Sequence, residues 1–130
     1  MNVWDAIASA ERILPGHAAT EGEEDPRWQA MISIADFIQN DPDAIWPFIV
    51  RWGSSTDEDL RAAVATVLLE HLLQHHFNHF FPLVEEAVQS NALLAETYSL
   101  CSKFGESKEE ANAERFERLR RACRKRKSQS

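Results

Sequence analysis

Apolar residues recur along this chain at three- and four-residue steps, the period of amphipathic helices, with polar caps, prolines and glycines between the runs. A first helix is predicted from about Val3 to Leu14, with Asn2 as its cap, Asp5 in its first turn and Pro15-Gly16 as its end. Residues 17–25, HAATEGEED, have no apolar period and read as an acidic loop. Asp25-Pro26 then opens a helix whose stripe is Trp28, Met31, Ile32, Ala35 and Ile38. A shorter helix through Ile45, Trp46, Phe48, Ile49 and Trp52 starts at Asp41 to Asp43 and stops at Gly53.

The longest predicted helix runs from about Thr56 to His76, opened by a capping box of Ser55 and Glu58. Its apolar arc is so wide, taking in His71, that only Asp59, Thr66, Glu70 and Gln74 remain as a polar strip. Neighbours on several sides are the expected cause. Asn78 is predicted to cap a further helix with Phe81, Val84 and Val88 inward, and Ser90-Asn91 to turn into another that passes Leu94, Tyr98 and Cys101 and closes at Gly105. A last helix over 107–124 follows from a Ser107 and Glu110 capping box, with Ala113, Phe116, Leu119 and Cys123 as its stripe and 125–130 as a frayed tail.

Two stretches repeat each other. IWPFIV at 45–50 and FFPLVE at 80–85 place Pro47 and Pro82 35 residues apart, each four residues after a predicted cap, Asp43 or Asn78. A proline there deletes a backbone bond and bends the helix start. The stretch IWPFIVRW followed by STDEDLRAAVATVLLEHLL resembles a HEAT repeat, and the resemblance extends over about 26–104. It implies an all-α fold, an α-α superhelix of about two HEAT-like hairpins with flanking capping helices, in one domain. It also implies that the turn's acid and arginine, Asp57 or Asp59 with Arg61, tie adjacent repeats together, and that the second helices line the concave side. The second copy has a shorter turn and no Asp-Leu-Arg, so it departs from that pattern. A plain antiparallel six-helix bundle would show the same period of about 35 residues.

With 130 residues, 44% hydrophobic, the chain is long enough to bury one core unaided. Cys101 and Cys123 fall in separate helices with no metal-knuckle spacing, and the start MNVWDAIASAERIL has neither a signal-peptide pattern nor a membrane span, so a reduced cytoplasmic setting is expected. Residues 1–110 hold 6 Lys+Arg against 19 Asp+Glu, net −13, while residues 111–130 hold 8 against 2, net +6. An acidic body with a basic tail can fold the tail back or offer each part to a different partner.

Neither a glycine-rich phosphate loop nor a nucleophile elbow is present, and no cofactor or catalysis is expected. His71 and His75, one turn apart, could supply two zinc positions, with His79, Glu85 or Glu86 as a third; ordinary packing is the competing account. Arg120, Arg121, Arg124, Lys125, Arg126 and Lys127 could contact phosphates, but the acidic body would repel a nucleic acid. The expected function is a protein-binding scaffold, monomeric or weakly dimeric, using Asp59, Thr66, Glu70, Gln74 and Trp52. The alternative is an acidic immunity-type inhibitor that covers a basic toxin or enzyme.

Overall fold

A computed structural model describes residues 1–16 and 25–129, the side chains of 127–129 excepted. The acidic loop predicted over 17–25 lies outside the described residues except for Asp25, as does the side chain of Lys127. Among the described residues the fold is all-helical, without a strand. Helix α1 spans Val3–Ile13, and Asn2 and Asp5 form a reciprocal capping box, the Asp5 N–H donating to Asn2 Oδ1 at 2.9 Å. Helix α2, Pro26–Ala35, is capped by the Asp25 carboxylate. Its buried residues are Arg27, Ala30, Met31 and Ile34, while Ile32 is exposed and Trp28 only half-buried. The predicted stripe is therefore rotated, because the ion pairs of Arg27 turn that side inward.

Helix α3, Pro42–Trp52, begins after Asp41 and not at Asp43, which lies in its first turn. Gly53 ends it at a close approach: a Cβ there would lie 2.6 Å from the Ile49 carbonyl oxygen and 2.9 Å from Leu94. Asp57, not Ser55, caps α4 (Glu58–Ala63), its carboxylate accepting from the N–H groups of Asp59 and Leu60. The chain then passes through a π-helical segment, Val64–Leu69, into α5, Glu70–Gln89. A π segment takes more residues per turn, so it shifts the helical phase of everything after it. The residues beyond it do not keep the faces that a regular wheel assigns.

The break predicted between His76 and Asn78 is present: His76 is non-helical (φ −139°, ψ 40°), two helical stretches meet there at a kink, and the Phe77 N–H freed by it donates to the Glu106 carboxylate at 3.1 Å. The cap expected from Asn78 is thus supplied from 29 residues away. Helix α6, Ala92–Ser99, is capped by Asn91. Gly105 does not close α6; with φ +51° it opens a short 3-10 turn, Gly105–Lys108, pressed against Gln74. Ser107 is buried in that turn, so the predicted capping box is not formed, and α7 runs from Glu110 to Gln129 as one helix where fraying was expected after residue 124.

Equivalent helices of consecutive hairpins lie side by side and parallel. Arg51 pairs with Glu11 at 3.2 Å, joining α1 to α3. Asp43 and Trp46 near the start of α3 meet His79 and Phe80 after the bend in α5, and Ser54 just past its end accepts from Asn91 Nδ2 at 2.7 Å. Arg115 to Glu85 and Arg126 to the Val88 carbonyl bring α7 alongside α5 in the same direction. The second helices behave alike. Arg27 reaches Asp57 at 2.9 Å and His76 Nε2 lies 3.0 Å from the Ile38 carbonyl oxygen; Arg61 reaches Glu96 at 3.3 Å and the Cys101 thiol donates to the Ala65 carbonyl. These contacts between hairpins join residues 30 to 40 apart in sequence. Phe77, Phe81, Tyr98 and Phe116 are fully buried where α5, α6 and α7 meet, and Phe80, also fully buried, packs on Trp46 of α3.

A candidate protein-binding face on the second helices

The second helices are held in register by two buried arginines. Arg27 is 3% exposed and bonds to Asp57, with Asp59 3.8 Å away, in the next hairpin. Arg61, also buried, donates to the Ser55 carbonyl and to Glu96 of the hairpin after it. The resemblance to HEAT repeats implied a tie between units at Arg61; Arg27 was missed. A signal was available, since Asp25-Pro26-Arg27 repeats Asp59-Leu60-Arg61 at a spacing of 34 residues. Burial is the largest single influence on the Asp57 carboxyl and pushes its pKa up, but the Arg27 hydrogen bond and charge together with the Leu60 and Asp59 N–H groups outweigh it and hold the carboxyl below its usual range.

With that register fixed, the polar strip read from the helical wheel separates. Asp59 and Thr66 are exposed, though Thr66 turns its hydroxyl onto the Ala62 carbonyl at 2.8 Å. Glu70 is 7% exposed and accepts from the Ser102 N–H at 2.9 Å, and burial pushes its carboxyl pKa up. Gln74 lies under Gly105. Glu70 therefore holds the connector after α6, and Gln74 is half-buried beneath that connector beside His71. The phase shift of the π segment is the reason: it carries Glu70 inward and His71, expected in the apolar arc, out to solvent.

Apolar side chains are exposed on the flanking elements instead. Ile32 on α2 is 45% exposed, Leu100 at the end of α6 52% and Phe104 in the connector after it 40%, in a molecule that otherwise buries most of its large apolar residues. Ile32, Thr66 and Leu100 stand 34 residues apart in sequence, and the contacts of Gln39 with His75 and of Ala65 with Cys101 put them at nearly matching levels. Beside Ile32 opens a cavity of about 410 Å³ with Asp36, Gln39, Asn40, His71 and His75 on its walls.

The histidines do not converge. His71 Nδ1 lies 3.1 Å from Gln74 Oε1, His75 contacts Gln39, and His79 sits with Asp43 on the other row of helices. Among the described residues no three His, Cys, Asp or Glu side chains come close enough to hold a metal ion. Trp52 is half-buried against Phe48, its indole N–H enclosed without a partner and Arg51 5.0 Å above its ring, which is a packing role. Cys101 is a buried thiol whose pKa is raised by burial, not a nucleophile.

Two residues of the basic tail are tied to the protein body. Arg120 donates to the Cys101 carbonyl at 2.7 Å and, with Lys103, grips Glu117; Arg126 donates to the Val88 carbonyl at 2.6 Å. Arg121, Arg124 and Lys125 are exposed on α7. Hydrogen bonds from Arg120 and then Lys103 lower the Glu117 pKa to about 2. A depressed carboxylate contributes stability above its unfolded pKa and loses it as pH falls toward the folded value. Glu117→Gln should therefore cost about 1 kcal/mol at pH 7 after allowance for solvent screening. Urea unfolding should show that gap at pH 7 and none near pH 2; an equal gap at both would mean the residue acts by packing.

Among the described residues no helix is long and apolar enough to cross a membrane. No protein-family model matches the chain, and no curated protein or solved structure matches it significantly.

Proposed function

We propose that this chain is a HEAT-like helical scaffold that binds a protein partner along its second helices and carries out no catalysis. The observation that carries the reading is the exposure of Ile32 on α2 and of Leu100 at the end of α6, at nearly matching levels on either side of the helix that carries Thr66, with Phe104 exposed in the connector after α6. Water-exposed side chains of this size gain by being covered. The side-by-side packing of equivalent helices and the repeated Asp-x-Arg sequence at 25–27 and 59–61 support the HEAT-like assignment. Asp36, Asp59 and Glu96 border the face and favour a partner with basic groups at its rim.

Partner capture from lysate of the source cells tests this. The native chain should retain a specific protein that Ile32→Asp and Leu100→Asp each release, with the helical circular dichroism unchanged. Retention indifferent to both substitutions would refute the assignment of the face. The acidic inhibitor reading is favoured by the exposed carboxylates Asp36, Asp41, Asp43 and Asp59. It requires that the retained protein be one basic enzyme whose activity the chain abolishes.

A further inference from the structure

On the other row of helices a second groove runs between α1 and α3, with a volume of about 320 Å³. Its apolar walls are Trp4, Ile7, Ala44, Pro47 and Phe48, and Trp4 is 64% exposed, an unusual position for the largest apolar side chain. Asp43 lies on the wall at one end and the Glu11 and Arg51 ion pair at the other. The Asp43 carboxylate is highly exposed, with His79 Nε2 3.5 Å away as its neighbour on α5. Pro47 has no N–H to give the Asp43 carbonyl, its partner four residues back in an uninterrupted helix. Asp43 thus brings to the groove that Trp4 also lines an exposed carboxylate, and its backbone carbonyl lacks the donor that a residue other than proline at position 47 would supply.

We infer that this groove docks an arginine-bearing basic segment of a partner protein. The guanidinium fits because its planar fork of donors can serve carboxylate and carbonyl together while its face lies on the indole. An apolar residue next to the arginine would cover Pro47 and Phe48. The charge is complementary, since residues 1–110 carry net −13, which draws basic chains and disfavours nucleic acid. The groove lies on a different row of helices from the face with Ile32 and Leu100, so the two assignments stand or fall separately.

The probe is a short capped peptide alternating arginine and leucine, fluorescein-labelled and titrated with the full chain by anisotropy, with the Trp4 indole N–H followed by NMR. The peptide should bind and shift that signal. Trp4→Ala and Asp43→Asn should each weaken it by about tenfold in Kd, Ile32→Asp should leave it unchanged, and added salt should weaken it. A glutamate and leucine peptide should not bind. Equal affinity for native chain and Trp4→Ala, equal affinity for a lysine version, or no binding overturns the inference. So does sedimentation showing a dimer that Trp4→Ala dissolves, since the groove would then belong to a second copy.

Discussion

Phe77→Ala should lower the free energy of unfolding by about 3–5 kcal/mol, the cost of emptying a fully enclosed aromatic site. Phe77 is completely buried at the bend in α5, stacked on Phe81 with ring centroids 4.5 Å apart and with Arg115 5.8 Å from its ring. It touches the unit before it through the helix and α7 through Arg115, so few neighbours can move in to fill the space. Chemical denaturation should show the loss as a lower midpoint at unchanged slope. The backbone of the same residue permits a control. Glu106→Gln keeps an acceptor for the Phe77 N–H and should cost far less than Glu106→Ala, which leaves that donor unmet. If Phe77→Ala were nearly neutral, the bend would not be the packed junction described above.

The second large effect concerns the tie between hairpins. Arg61→Ala should destabilise by about 2–4 kcal/mol, because it removes a buried charge whose partners, Glu96 and the Ser55 carbonyl, are left without it. Arg27→Ala should cost less, since Asp57 and Asp59 are exposed enough for water to replace the guanidinium. The decisive comparison is a double-mutant cycle. Arg61→Ala with Glu96→Ala should be much less than additive, while Arg61→Ala with Asp57→Ala should be close to additive. Additivity in both would mean that the arginines act alone and do not lock neighbouring units.

Local signals in the chain were read most faithfully where the hydrogen bond they describe joins near neighbours. Asn2 with Asp5 and Asp25 before Pro26 form the caps expected of them, because the partner lies within three residues. Ser107 and Glu110 present the same pattern and do not form it, since Ser107 is drawn into a buried turn under Gly105. Asn78 has the right identity for a cap, but Glu106 reaches the bend first from the connector after α6. Of the candidate site, Asp59 and Thr66 were legible on the surface, whereas Glu70 and His71 exchanged sides beyond the π segment.

What the sequence determined by itself is the helical class, most helix starts and the 35-residue spacing of Pro47 and Pro82. All of these depend on periodicity, on short-range capping or on a motif within a few residues, which one chain read in order contains. Only the tertiary structure decided which way each helix faces, that Arg27 is buried, that Glu70 clamps a connector, and that Ile32 and Leu100 remain exposed. Those outcomes are fixed by charges and backbone groups that meet across 30 or more residues and by a helix whose phase slips midway. A regular wheel has no term for either.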